Sequence, residues 1–103
     1  MELELDVVRA ADVSTVSVAG EVDIDSAPRL AAVLTEVGAE STTVIIDCRR
    51  LGFMDSTGLS VLLAAHRDLE NRGGRLELRD PPQMLAKMLK IVGLDDVLHV
   101  TTS

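Results

Sequence analysis

The apolar run Val44-Ile45-Ile46-Asp47-Cys48 constrains the fold of this chain more than any other segment. A strand with one face in water alternates apolar and polar side chains, and a single acid is too little interruption for that pattern. We therefore predict that this run forms a central strand covered on both faces. Such coverage requires helices packed on each side of a largely parallel sheet.

Weaker patterns on either side of this run predict the rest of the sheet. Apolar residues alternate with acids over residues 3–7 and with hydroxyl residues over 14–19, and the short connection at residues 9–12 favours an antiparallel hairpin. Alternation returns at residues 75–79, where charges at both flanks and the centre indicate a less buried strand. Residues 97–100 have room for a short final strand.

Three helices are predicted between these strands. Each has apolar residues at helical spacing, a residue suited to a helix start before them, and glycine or a polar turn after them. The helices are expected from the Ser26 cap and Pro28 to Gly38, from Asp55 or Ser56 to residues 71–74, and from Asp80-Pro81-Pro82 to Gly93.

The resulting order, β-β-α-β-α-β-α with a further strand at the end, predicts an α/β fold. Helices between strands imply parallel neighbours joined by right-handed crossovers, and the leading hairpin makes the sheet mixed. We find no linker or repeat, so residues 1–103 are expected to form one domain. Partners of such sheets bind at the carboxyl ends of the strands, where residues 20–26 and 49–58 should meet as two loops.

The charge balance excludes several classes of partner. Ten Lys and Arg against seventeen Asp and Glu give a net charge of −7 over 103 residues. Nucleic acids and anionic membranes are bound through basic residues, and Phe53 alone is no stacking platform for bases. Because the segment Glu2-Leu3-Glu4 is unlike a signal peptide, we expect a cytoplasmic protein.

The core has to be built from aliphatic side chains. Hydrophobic residues make up 47% of the chain, and one residue is aromatic. We expect Cys48 to be a small core residue, and His66 to lie at the edge of the core rather than to act as a ligand. A folded body of this mass exposes about 5,600 Å² and therefore has one main interaction face.

Residues 51–59 place an acid, two adjacent hydroxyls and a glycine at one helix N-terminus. In a structural interpretation, Asp55 or Ser56 caps the helix and Gly58 lets it approach a neighbouring element. One cap needs one oxygen, however, and this segment offers three. In a functional interpretation, a phosphate on Ser56 would be held by free N–H groups and the helix dipole. The residues alone leave both interpretations open.

A phosphate at this place would be felt mainly by a docked partner. It adds a charge of about −1.5 to −2 beside Asp55 and near the acids Glu21, Asp23 and Asp25. The fold can tolerate this charge, whereas an interface would have to desolvate it against like charges. A thousandfold loss of affinity corresponds to about 4 kcal/mol, which such repulsion can supply without a change of fold.

Four segments of the chain form a recognisable set: Gly20-Glu21-Val22-Asp23, the strand Val44 to Cys48, Phe53-Met54-Asp55-Ser56-Thr57-Gly58-Leu59, and Gly93-Leu94. In these segments, and over essentially its whole length, the chain resembles the anti-sigma-factor antagonists, the small STAS domains. The resemblance implies that Ser56 is the phosphoacceptor of an ATP-dependent anti-sigma-factor kinase and that a metal-dependent serine phosphatase reverses the modification. Unmodified, such a protein binds the anti-sigma factor and frees the sigma factor.

Several points stay open within this resemblance. Thr57 is the second candidate acceptor, and Ser60 stands where the family often has glycine. Some STAS relatives act as scaffolds, in stress signalling or in lipid transport without this kinase cycle. We expect Phe53 and Met54 to be at least partly exposed, as apolar anchors. The predicted partner-binding residues are Glu21, Asp23, Asp25, Phe53, Met54, Asp55, Thr57 and Gly58.

Enzymatic alternatives fit the residues less well. A serine hydrolase would use Ser56 as nucleophile, but Met54 replaces the first glycine of a Gly-x-Ser-x-Gly elbow and His66 lies about 15 Å along the helix. A receiver-type phosphoacceptor at Asp55 needs further carboxylates around a metal and a nearby lysine, whereas Lys87 and Lys90 both lie on the predicted third helix. A magnesium site of Glu21, Asp23 and Asp55 would use acids that a docking loop explains more simply. We expect no enzymatic activity, no cofactor and no metal, and favour a monomer.

Overall fold

Six strands and three helices make up residues 2–102, the part of the chain that a computed structural model describes. The strands are β1 (Glu4–Ala10), β2 (Val13–Val22), β3 (Thr43–Asp47), β4 (Leu51–Met54), β5 (Arg75–Arg79) and β6 (His99–Thr101). The helices are α1 (Ala27–Glu40), α2 (Ser56–Asn71) and α3 (Gln83–Ile91).

The sheet is mixed, as predicted. Its order is β1-β2-β3-β5-β6, with β1 antiparallel to β2 and the other neighbours parallel. The remaining strand, β4, pairs in parallel with the carboxyl-terminal part of β2. Strand β2 therefore has β3 beside its first half and β4 beside its second half, and the two short strands occupy successive positions along the same edge.

Strand β3 corrects the prediction of two covered faces. Val44 and Ile46 are buried, but Thr43, which precedes them, and Ile45, which lies between them, are only half-buried. The residues paired with Ile45 are Thr15 of β2 and Glu77 of β5, so the second face of the sheet is largely polar. Because its neighbours on this face are polar, Ile45 keeps some contact with water. The sequence of β3 alone does not show which residues these neighbours are.

One core fills the space between the other face and the helices. The inward side chains of β2, β3 and β5 form a single buried cluster with residues from all three helices, such as Leu30, Leu62 and Leu85. Cys48 belongs to it, as predicted. Burial raises the pKa of this thiol to about 12, so the side chain stays a neutral, small apolar group.

Several element boundaries differ from the prediction: β1 extends to Ala10, and β6 covers His99–Thr101 rather than residues 97–100. Strand β2 continues to Val22 and therefore includes residues assigned to a loop. Residues 51–54, also expected in a loop, form β4. Helix α1 passes through Gly38, which has ordinary helical surroundings and no positive φ. The helix ends at Glu40.

Candidate functional site

Pairing between β2 and β4 brings together the two segments that the sequence placed at one edge of the sheet. Glu21 lies beside Phe53, and Val22 beside Met54. The chain then leaves β4 at Asp55, whose N–H donates to the carbonyl of Val22 at 3.1 Å. The predicted proximity of the two segments is confirmed, although paired strands rather than two loops produce it.

Asp55 is the residue that caps α2. Its carboxylate accepts hydrogen bonds from the N–H groups of Thr57 at 2.9 Å and Gly58 at 3.2 Å, and from the hydroxyl of Thr57. The Thr57 hydroxyl, followed by the two N–H groups, lowers the pKa of Asp55 below its ordinary value. Asp55 is therefore an ionised cap, and the structural interpretation of this residue is correct.

Ser56 has the exposed, unengaged hydroxyl of the segment. It is the first residue of α2, and within residues 2–102 no hydrogen bond to its Oγ is formed. Thr57 is half-buried and donates its hydroxyl to Asp55. Ser60 donates its own hydroxyl to the carbonyl of Ser56 at 2.9 Å. Of these three hydroxyls, that of Ser56 is the one a second protein can reach without breaking a local bond.

The predicted phosphate cradle at this helix end is already in use. The sequence suggested that free N–H groups would hold a phosphate on Ser56, but Asp55 accepts from two of them, those of Thr57 and Gly58. An ionised carboxylate at the cap also offsets the positive end of the helix dipole. A phosphate on Ser56 would therefore extend into solvent with its charge largely uncompensated.

Asp23 organises the loop that follows β2. Its carboxylate accepts from the N–H groups of Asp25 and Ser26, both at 3.0 Å, and contacts the Ser26 hydroxyl at 3.1 Å. The Ser26 N–H and hydroxyl lower the pKa of Asp23, while the nearby charge of Asp55 opposes them. Ser26 makes no side-chain cap bond to α1, contrary to prediction, because its hydroxyl contacts Asp23 and the Glu21 carbonyl.

Phe53 is exposed, and Met54 is not. Phe53 retains 45% of its accessible surface, whereas Met54 retains 1% and lies in the core. Successive side chains of a strand point to opposite faces. Because Phe53 of β4 points to solvent, the next residue, Met54, points into the core. The predicted exposure of Met54 is therefore wrong, and of these two residues only Phe53 is available as an anchor.

Ile24 is an exposed apolar residue that the sequence analysis missed. It retains 71% of its surface in the loop between Asp23 and Asp25. The available signal was a branched aliphatic residue between two acids in a segment with no strand or helix pattern. With Phe53 it gives this end of the β2–β4 pair two apolar side chains among ionised ones.

Gly58 is a buried packing position in the first turn of α2 rather than an exposed contact for a partner. It is buried, and a Cβ there would lie 2.6 Å from Cγ of Met54 and 2.8 Å from Cγ1 of Val22. The absence of a side chain lets the first turn of α2 lie directly on β2 and β4. Its inclusion among the partner-binding residues is corrected, and the helix approach predicted for it is confirmed.

Neither histidine of the chain lies near Ser56. His66 follows it by ten residues in α2, about 15 Å by helical rise. His99 contacts Glu70, a further turn along the same helix, with Nε2 at 3.3 Å from Oε1. The Ser56 hydroxyl therefore has no imidazole beside it that could activate it as a nucleophile.

The family model described as "Mlab, STAS domain" matches residues 5–100. The chain belongs to the STAS domain family. This confirms the resemblance drawn from the Gly20–Asp23, Val44–Cys48 and Phe53–Leu59 segments. Within the described part of this STAS domain, no helix is both long and apolar enough to cross a membrane.

Several relatives of this STAS domain carry names that describe a regulatory role. The anti-sigma-B factor antagonist of Bacillus subtilis is 30% identical over 101 residues, which cover 98% of this chain and 93% of the relative. The Listeria monocytogenes protein of the same name is 32% identical over 93 residues, which cover 89% of this chain and 82% of that protein.

Solved structures agree with this similarity. The anti-sigma factor antagonist SpoIIAA in its unphosphorylated form superposes with a TM-score of 0.83 at 25% identity, covering 99% of this chain and 88% of SpoIIAA. The phosphorylated form of Bacillus SpoIIAA gives a TM-score of 0.80 at 25% identity, with 99% and 91% covered. An anti-sigma factor antagonist from Mycobacterium paratuberculosis gives 0.81 at 29% identity, with 96% and 85% covered.

Proposed function

We propose that this STAS domain is an anti-sigma factor antagonist that phosphorylation of Ser56 switches off. The unmodified protein binds an anti-sigma factor, itself a serine kinase, and the sigma factor is released. The kinase transfers the γ-phosphoryl group of ATP to Oγ of Ser56, with loss of the hydroxyl proton and release of ADP. A metal-dependent serine phosphatase hydrolyses the phosphoserine and restores binding.

The observation that carries this proposal is the difference between three neighbouring hydroxyls. Ser56 is exposed with no local hydrogen bond from its Oγ, while Thr57 and Ser60 donate to Asp55 and to a backbone carbonyl. Phosphorylation of Thr57 would break the cap of α2, so the cost to the fold would be high. Phosphorylation of Ser56 leaves the cap intact.

The surroundings of Ser56 explain how one phosphate can act as a switch. The negative charge of Asp55 is close enough to oppose the lowering of the Asp23 pKa, and hydrogen bonds keep both carboxylates ionised. A phosphate dianion added beside them makes this end of the molecule more negative and more strongly hydrated. A partner that docks on Phe53 and Ile24 must then desolvate that charge, and the complex is weakened.

The remaining assignments follow from this role. The docking face comprises Glu21, Asp23, Asp25, Phe53, Asp55 and Thr57 with Ile24 added, around the switch Ser56. The protein acts on transcription through protein partners rather than nucleic acid or membrane, in the cytoplasm, with no catalytic activity of its own. We favour a monomer as the binding form, and no step of the proposed cycle requires a cofactor bound to this chain.

Phosphate mapping tests this function. The purified chain is incubated with the anti-sigma factor kinase of its own organism and magnesium ATP, and the product is analysed by peptide mass spectrometry. We expect one phosphate, on Ser56. The variant Ser56→Ala should accept none, and the matched variant Thr57→Val should accept one at an undiminished stoichiometry.

Two results would overturn the proposal. Phosphate on Thr57 or Ser60 of the wild-type chain would contradict the argument from hydroxyl engagement. Stable binding of the kinase with no phosphate on any of the three residues would instead indicate a STAS scaffold without a kinase cycle.

A further inference from the structure

We propose that His66, Glu70 and His99 form a binding site for a zinc ion. The three side chains meet at the opposite end of α2 from Ser56, where β6 lies beside the helix. One potential ligand atom from each residue lies within 4.8 Å of the other two. The site is independent of the proposed phosphorylation cycle, since it shares no residue with it.

A buried nitrogen without a partner is the observation that points to a ligand. His66 is 7% exposed, and within the described chain its Nδ1 has no hydrogen-bond partner. Buried polar atoms of side chains are nearly always bonded, because the hydration lost on burial must be replaced. The nearest carboxylate oxygen, Oε1 of Glu70, is 4.0 Å from Nδ1, which is too far for a hydrogen bond.

The same carboxylate oxygen also faces the second histidine. Nε2 of His99 is 3.3 Å from Oε1 of Glu70, and the two imidazole ring centroids are 5.9 Å apart at an interplanar angle of 62°. Ligand atoms of a tetrahedral zinc site lie about 2.0–2.2 Å from the metal and hence about 3.3–3.6 Å from one another. Small rotations of the two half-exposed side chains, Glu70 and His99, can bring the set to that spacing.

The donor set favours zinc over magnesium and calcium. Two imidazole nitrogens and one carboxylate oxygen are a ligand set that zinc accepts, with a fourth position left for water. The side chains of Glu70 and His99 are 47% and 34% exposed, so this fourth position is open to solvent. Magnesium and calcium prefer a set made of oxygens only, and the site offers too few.

Spacing along the chain gives the ion a structural effect. His66 and Glu70 are four residues apart and lie on one face of α2, whereas His99 is the first residue of the edge strand β6. A bound ion would therefore fasten β6 to the helix. The sequence predicted that His66 lies at the edge of the core without a ligand role. Its burial agrees with that position, but core packing does not explain why the buried Nδ1 has no hydrogen-bond partner within the described chain.

Calorimetric titration with zinc chloride tests the site. The full chain, freed of metal with a chelator, should bind one zinc ion per molecule, and its melting temperature should rise by about 10 °C at a zinc concentration 100 times Kd. The variants His99→Gln and Glu70→Gln keep the buried histidine and should fold. We expect each to raise Kd by more than about 100-fold, since loss of an outer-shell contact alone costs 10–100-fold.

The matched control is Asp68→Asn, which removes an exposed acid from the same helix outside the cluster. It should bind zinc as the wild-type chain does. Absence of zinc binding by the wild-type chain would overturn the proposal. So would an affinity that His99→Gln leaves unchanged, because zinc would then be bound elsewhere on the acidic surface. Long-range ¹H–¹⁵N spectra of the imidazoles provide a direct readout, with zinc expected to shift Nδ1 of His66.

Discussion

At the scale of single residues, Asp55 is the side chain that caps the start of α2. Its carboxylate accepts three hydrogen bonds from Thr57 and Gly58 and fixes the first turn of α2. We predict that Asp55→Ala lowers the urea midpoint of unfolding, because the N–H groups at the helix start lose their acceptor. Circular dichroism during urea titration measures this change.

Asp25→Ala is the matched control for that substitution. Asp25 is exposed, and its carboxylate caps no helix. The substitution Asp25→Ala removes the same charge from the same end of the molecule as Asp55→Ala does. Its midpoint should stay close to that of the wild-type chain. Equal midpoints for the two variants would show that the cap of α2 contributes little.

The sequence identified most of the site residues but not all of their roles. The segment Phe53–Leu59 stood out by composition, and helix chemistry narrowed the cap to Asp55 or Ser56. Ser56 and Thr57 could not be told apart, because only the geometry around Asp55 determines which hydroxyl is engaged. Met54 was misplaced because the strand that turns it inward had not been recognised.

At the scale of elements, the contact of α2 with β2 and β4 depends on Gly58. A Cβ there would lie 2.6 Å from Met54 and 2.8 Å from Val22, and both neighbours are packed in the core. We predict that Gly58→Ala lowers the free energy of unfolding by about 1–3 kcal/mol, as overpacking of a core usually does. Urea unfolding at equilibrium gives the value.

Gly38→Ala serves as the control within another helix. A Cβ at Gly38 would meet the end of the flexible Arg72 side chain at 3.2 Å, and alanine is the better helix former. Its unfolding free energy should equal or exceed that of the wild-type chain by up to about 1 kcal/mol. If Gly38→Ala lowered the unfolding free energy as much as Gly58→Ala, the close approach of α2 to the sheet would not be the cause of the destabilisation at Gly58.

The elements with a clear period were predictable, and the short ones were not. Alternation and helical spacing gave the hairpin, the three helices and the parallel strands in the right order. Strand β4 has four residues and includes Gly52 and Phe53, so no period is visible in it. The exposure of one face of β3 depends on its neighbours Thr15 and Glu77, which lie far away in the chain.

At the scale of the whole molecule, the acidic residues tie stability to pH. Hydrogen bonds lower the pKa of Asp23, Asp47 and Asp55, chiefly those from Ser26, Arg49 and Thr57 respectively. A carboxyl whose pKa is lower in the folded state stabilises the fold above its unfolded pKa of about 3.9, and this contribution is lost as pH falls through the folded value.

We therefore predict that the unfolding free energy falls steeply below about pH 4. Urea titrations in buffers between about pH 6 and pH 2.5 measure it. A free energy that stays constant over this range would contradict the role of the three carboxylates. The triple replacement of these aspartates by asparagine should flatten the curve.

The net charge of −7, which first excluded nucleic acids, becomes part of the proposed switch. The folded chain exposes 5699 Å², and a standard interface of about 800 Å² per partner covers roughly one seventh of it. We propose that this interface is centred on the end of the molecule that carries Ser56, Phe53 and Ile24. A single phosphate can therefore affect a large share of the interface while the core stays unchanged.

The affinity of the anti-sigma factor kinase for the two forms of the chain tests the central claim most directly. Calorimetry of Ser56-phosphorylated and unmodified protein should show binding about 1,000-fold weaker after phosphorylation, or about 4 kcal/mol, with an unchanged melting temperature. The control variant Thr42→Asp adds a negative charge just before the amino end of β3, at the end of the sheet away from Ser56, and should bind as the wild-type chain does. Equal affinity of the two forms, or weaker binding that accompanies unfolding, would contradict the account.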